Sequence, residues 1–203
     1  MKHVLFILLL LVANGFANAQ GVSKAWQDMP DSLVEYLPRG SRIQLIDTYT
    51  ITGQSDVQNN LEGRSRIDTL TADFIQVRLS EALTLQLKQL IAATGDSVLC
   101  LVRTYMGPVS ESSVEIYSMS WKKISIIDLS GYNLISKPDT MTDDRFHELK
   151  AFMSPMLISA SLSAEDDELT ITPSIPFSNP DVENELKSLI LQRKLKWNKK
   201  TFN

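Results

Sequence analysis

Residues able to do covalent or metal chemistry are few in this 203-residue chain, and their placement limits the reactions it can support. The one cysteine, Cys100, lies in "VLCLV", with apolar residues on both sides. A nucleophilic thiolate wants a partly exposed, electropositive setting and usually a histidine base. The apolar run instead predicts a small buried side chain whose thiol pKa is raised. Beyond the N-terminal segment the chain has one histidine, His147, on a predicted surface helix beside Arg145 and Glu148. One histidine and one cysteine on different elements cannot close a zinc site. The acidic turn Glu165-Asp166-Asp167-Glu168 could attract a hard cation, but it lacks the alternating ligand spacing of a calcium loop. It reads as a solvated hairpin tip. No metal ligand and no cofactor are assigned.

Serine and phosphate chemistry are equally short of signals. G-x-S-x-G is absent, S-x-x-K occurs only weakly around "SMSWKK", and no glycine-rich phosphate loop is present. No catalytic residue is assigned. A carboxylate pair for glycoside hydrolysis is defined in space rather than by spacing. With 24 acidic residues chance pairs are expected, so this remains the alternative function.

The C-terminal "RKLKWNKK" carries five basic residues in eight. Read as a strand, it turns Leu195 and Trp197 one way and Lys194, Lys196 and Asn198 the other. One reading is a basic ridge for an acidic or phosphate-bearing partner, with Trp197 as a stacking platform. The favoured reading is an edge strand guarded by lysines, with Trp197 packed in the core. Lys194, Lys196 and Trp197 are the candidate partner contacts. Tyr117 and Trp121, at i and i+4 beside Met119, read as packing.

The elements that position these residues are predicted from periodicity. The chain opens "MKHVLFILLLLVANGFANAQ": a basic Lys2, an apolar run from Val4 to Val12, and Ala17-Asn18-Ala19. This is the pattern of a secretory signal, with cleavage expected after Ala19. The run is too short for a membrane span, which needs about 20 residues. The expected mature chain, Gln20–Asn203, has 184 residues, and losing Lys2 moves the net charge from −4 to −5. A mildly acidic chain with 43% apolar residues is an ordinary globular protein, with no charge pattern for nucleic acid and no span left after cleavage. Export to the periplasm or beyond is expected.

After the signal, Asp31 or Ser32 caps a predicted short helix with Leu33, Val34 and Leu37, and Ser41 caps a second with Ile43, Ile46 and Tyr49. "TGQSDVQNNLEGRS" reads as a connection. Ile75, Val77 and Leu79, then Leu83, Leu85 and Leu87, alternate as a hairpin. Val98–Tyr105 and Val114–Trp121 continue it as a four-stranded antiparallel meander, with the helices as cover. Residues 124–141 read as a crossover. A helix from Asp143 or Asp144 to Pro155, a hairpin around the acidic turn, a helix in "NPDVENELKSLI" and a final strand follow. The expected class is α+β, an antiparallel sheet in two portions with packed helices. Its parts are 1–19 (signal), 20–123, 124–141 and 142–203, the last folding with the first half as one unit.

"MPDSLVEYL", "YMGPVSESSVEIYSMSWK", "SLSAEDDELTIT" and "KLKWNKKTF", in that order, resemble a family of small exported proteins of unknown function from Bacteroidales. The resemblance spans essentially the whole mature chain. It implies an α+β fold and an envelope location, and transfers no catalytic residue. The expected function is a non-catalytic binding module whose partner is an envelope protein or polysaccharide.

Overall fold

The structure, a computed structural model, describes residues 21–176 and 180–203, so the expected signal segment lies outside the described residues. Helix α1 occupies residues 21–27, a 3-10 turn follows at Asp31–Leu33, and α2 spans Arg39–Thr52. Seven strands come next: β1 (Asp56–Gln58), β2 (Arg64–Leu70), β3 (Phe74–Ser80), β4 (Leu83–Ile91), β5 (Ser97–Tyr105), β6 (Glu111–Ser118) and β7 (Lys123–Ile126). They form one antiparallel sheet in chain order. Helix α3 (Asp143–Phe152), β8 (Leu157–Leu162), β9 (Glu168–Ser174), α4 (Pro180–Leu189) and β10 (Arg193–Lys196) complete the chain, with β10-β9-β8 as a second antiparallel sheet. The fold is α+β.

Alternation along the strands sends two sets of side chains to opposite faces of the large sheet. Ile75, Val77, Leu79, Leu85, Leu87, Leu99 and Leu101 meet the N-terminal helices through Val22, Trp26, Leu37 and Leu45. Phe74, Leu90, Cys100, Val102, Val114 and Ile116 meet the small sheet through Ala160, Leu162, Leu169, Ile171 and Leu195. The central strands are therefore covered on both faces, and β5 is buried from Val98 to Val102. Each fully buried aliphatic side chain contributes about 1.5–3 kcal/mol.

Polar side chains lock the layers. Arg42 of α2 is buried and donates to the carbonyls of Leu37 (2.8 Å) and Met29 (2.6 Å) and to Asp31 Oδ1 (2.8 Å), which ties α2 to the preceding segment. Between the sheets, the Leu162 amide donates to Gln86 Oε1 at 2.8 Å and the Ala160 amide to Ser112 Oγ at 2.9 Å. Two amides of β8, an edge strand of the small sheet, are thus satisfied by side chains of the large one. On the C-terminal side, Leu149 of α3 and Met153 at its C-cap pack with Val182, Leu186 and Leu189 of α4. Arg145 reaches both carboxylate oxygens of Glu185, at 2.9 and 2.7 Å.

The differences from expectation have local causes. The predicted four-stranded meander is β3–β6 within a seven-stranded sheet. The polar "connection" contains β1 and the start of β2, because strands at the rim need no apolar alternation on both faces. The segment read as a crossover begins inside β7. Helix α1 carries no cap signal that separates it from the expected cleavage region. Helix α2 starts at Arg39 rather than behind Ser41: Pro38 is its N-cap, with no N–H to leave unpaired, a ring that holds φ at −63° and a ψ of 158° that keeps it extended. Gly53 ends it at φ 73°, left-handed backbone suited to glycine.

Candidate functional site

Cys100 is buried in β5 opposite Lys88, as its apolar neighbours predict, and burial pushes its thiol pKa up. His147 is exposed on α3 and its ring lies 6.0 Å from that of Phe146. The acidic turn is held by Ser163, whose hydroxyl accepts from the amides of Glu165 and Asp166, and its tip is exposed. Among the described residues no three His, Cys, Asp or Glu side chains are grouped to hold a metal ion. Ser118 and Ser120 hydrogen-bond one another at 2.9 Å in the exposed β6–β7 turn.

Two cavities hold two carboxylates each. A groove of about 520 Å³ between the C-terminal end of α2 and the β1–β2 ribbon is lined by Tyr49, Asp56, Arg66 and Asp68. A bond from Arg64 holds the Asp56 carboxyl below the usual range. Burial opposes ionisation of Asp68, yet bonds from Arg66 and Gln76 keep it low as well. Neither carboxyl there is primed to be a general acid, which needs a raised pKa. A smaller cavity of about 330 Å³ draws one carboxylate from each half of the chain, Asp73 and Asp167. Asp73 is already the counter-ion of Lys88, a buried lysine whose Nζ lies 3.1 Å from Asp73 Oδ2.

The C-terminal candidates separate. β10 is an edge strand, and Lys194 and Lys196 project into solvent, each within 4 Å of Glu168, at 3.7 and 3.5 Å. Trp197 is half-buried rather than fully in the core. Its ring packs on Phe202 at 5.2 Å and its indole N–H donates to the Ile91 carbonyl at 2.8 Å. Tyr117 and Trp121 pack together at 5.4 Å, and the Trp121 indole N–H donates to the Ala25 carbonyl.

The exposed apolar side chains point instead to β7. Ile124 is 56% exposed and Ile126 is 66% exposed on the last strand of the large sheet. The Ile127 amide donates inward to Val114, so antiparallel alternation turns the backbone groups of Ile126 outward, while Ile124 is the extra residue of a bulge opposite Ile116 and Tyr117. Beneath them Glu115 accepts from Tyr117 Oη (2.7 Å) and Arg103 Nη1 (3.0 Å) and pairs with Lys123. Burial opposes its charge, but these partners hold the Glu115 carboxyl below its usual range. Burial, reinforced by the bond to Glu115, pushes the Tyr117 hydroxyl pKa up. The cluster is a satisfied floor, with the open edge beside it. Sequence periodicity alone cannot find such an edge, because "KISII" reads as any short strand.

Residues 16–202 match the model of a family described as protein of unknown function, DUF3256. The chain belongs to this family. None of the curated proteins matches it. Among solved structures it is similar to "a domain of an uncharacterized protein from Porphyromonas gingivalis W83", with a TM-score of 0.68 and 20% identity over 90% of this chain and 98% of that one. At that identity the likeness is one of fold.

Proposed function

We propose that this member of DUF3256 is an exported, non-catalytic interaction module of the cell envelope that offers the β7 edge to an extended protein segment. One observation carries the reading: Ile126, whose backbone groups face outward on the last strand of the sheet, is also an exposed isoleucine, and exposed Ile124 stands beside it. An added strand satisfies both at once, with main-chain bonds to the ladder and apolar contact to the side chains. A polysaccharide presents no amide ladder, so of the two envelope partners a protein fits this surface better.

The other surfaces fit partner binding less well. The Trp197 indole is engaged by Ile91 and Phe202, which leaves Lys194 and Lys196 as guards of an edge strand. A hydrolase built on a carboxylate pair draws little support, since Asp56 and Asp68 are held ionised and Asp73 serves Lys88. The test is a photo-reactive residue at position 126 in the native host, with position 58 on β1 as control. Adducts from 126 and none from 58 are expected. Adducts from position 194 but none from 126 would move the contact to the C-terminal sheet.

A further inference from the structure

The groove of about 520 Å³ lies at the β1–β2 end of the large sheet, opposite to β7, and its volume is in the usual range of small-molecule sites. Gly53 turns the chain sharply out of α2, so Ser55 and Asp56 share the groove with Thr48 and Tyr49 of the helix end. Asp68 is the extra residue of a bulge in β2, between Ile67, which pairs with Val77, and Thr69, which pairs with Gln76. Bulges re-aim side chains and are over-represented beside functional sites.

Ser55 is an independent sign. The residue is 7% exposed and lines the groove, and its hydroxyl is buried with no hydrogen-bond partner among the described residues. Arg78 Nε, 3.6 Å from Asp68 Oδ2, is a second buried donor without a hydrogen bond. Buried polar groups left unpaired are rare in folded proteins, and two around one groove call for an explanation.

We propose that this groove is a binding site for a neutral sugar, held through its hydroxyls by Ser55, Asp56, Arg66 and Asp68. Charge decides the ligand class. Asp56 is paired with Arg64, and Asp68 with Arg66 and, at longer range, Arg78. A cation finds both carboxylates already countered, and an anion meets them on the wall. A neutral ligand that donates and accepts avoids both penalties. The polar atoms left over suit hydroxyls. Asp56 accepts from Arg64 through Oδ2 and keeps Oδ1, while Arg66 donates to Asp68 through Nε and keeps both Nη groups of its fork. The two residues are directly opposed across the β1–β2 ladder, which sets acceptor and donor side by side. A carboxylate and a guanidinium each present two parallel positions, and adjacent hydroxyls of a sugar ring present the complementary pair. The Ser55 hydroxyl can donate or accept as the ligand requires, and Tyr49 offers an apolar ring body to the C–H face of the sugar. With both carboxyls held ionised, the walls accept from hydroxyls and do not protonate a glycosidic oxygen, so the site binds without cleaving.

The experiment is amide NMR of the mature chain titrated with methyl glucoside, methyl galactoside, methyl mannoside and maltose. At least one of these sugars should bind with a Kd of about 0.1–10 mM, shifting the amides of Ser55, Asp56, Ile67 and Asp68 and leaving those of β7 in place. Ser55→Ala should weaken that binding about fivefold or more without lowering the urea midpoint, since it removes a hydroxyl that pairs with nothing in the protein. Arg66→Lys, which loses the planar fork, should weaken it about tenfold or more. Calcium chloride and spermidine, probes for a cation site, should leave the groove amides unshifted. Sugars that shift none of these amides up to about 50 mM overturn the inference. So does a Ser55→Ala chain that binds as wild type does or unfolds more easily, and so does a groove that responds to calcium or spermidine.

Discussion

Replacing Gln86 with leucine tests whether the two sheets are held by specific polar contacts or by apolar packing alone. Gln86 is buried on β4; its Oε1 accepts from the Leu162 amide at 2.8 Å, and its Nε2 donates to Gln76 Oε1 at 2.7 Å and Ser161 Oγ at 3.1 Å. Leucine fills similar space but leaves the Leu162 N–H buried without an acceptor, a loss of about 1–3 kcal/mol. The bonds to Gln76 and Ser161 are partly exposed and add about 0.5–1 kcal/mol each. The extra apolar burial returns about 1 kcal/mol. The expected net destabilisation is roughly 2–3 kcal/mol, or roughly 5–10 °C in Tm for a chain of this length. Urea unfolding measures the total, and amide exchange at Leu162 locates it, since that amide should open more readily than its neighbours. Ser112→Ala, which removes the acceptor of the Ala160 amide, should act on the same strand with a smaller effect, about 1 kcal/mol. A Gln86→Leu protein within about 0.5 kcal/mol of wild type, with unchanged Leu162 exchange, would refute the reasoning and make the interface a purely apolar one.

Cys100 should react with a water-soluble thiol reagent only after unfolding, and Cys100→Ser should destabilise more than Cys100→Ala because it buries a hydroxyl among apolar neighbours; unfolding curves of the two variants check the order. Glu115 has a folded pKa below its unfolded value, so its contribution is present above the unfolded pKa and lost as pH falls through the folded one. Wild type should therefore lose stability on acidification below about pH 4.5, and Glu115→Gln should flatten that slope while lowering stability at pH 7 by about 2 kcal/mol. Trp197→Ala should cost about 2–3 kcal/mol through the lost Phe202 and Ile91 contacts, whereas neutralising Lys194 and Lys196 together should leave stability within about 0.5 kcal/mol. Intact-mass measurement of protein from its native host should show a chain beginning at Gln20, and a mature species retaining Met1–Ala19 would defeat the export reading.

The parts of the fold legible in the sequence are those where burial differs between successive residues. Ile75, Val77 and Leu79 alternate because β3 has unlike faces at Gln76 and Arg78, and the β3–β6 meander follows from that. The acidic hairpin β8–β9 was legible from Leu169 and Ile171 for the same reason, and α4 from the Asn-Pro start that precedes it. β1 and the first half of β2 were not, because Asp56, Gln58, Arg64 and Arg66 look like loop residues until they are placed at a sheet rim. Arg42 was hidden as well. An arginine in a helix is ordinarily a surface residue, and only the folded path of residues 27–37 brings four carbonyl or carboxylate oxygens around it.

The β7 surface was illegible for a different reason, which bears on what the edge does. A strand written Lys-Ile-Ser-Ile, followed by Ile127, carries the composition of a buried strand, and in an interior position Ile124 and Ile126 would be unremarkable. What makes them informative is position: β7 is last in its sheet, and the chain then turns away so that Ile127 and Leu129 enter the core toward the small sheet. Position in a sheet is a non-local property and leaves no periodic trace in the strand itself. Selection against edge-to-edge association would place a lysine or proline at 124 or 126, as lysines stand at 194 and 196. The chain keeps isoleucines there. An edge that stays apolar where β10 carries lysines is open to an added strand, which would cover its side chains and meet its outward backbone groups together.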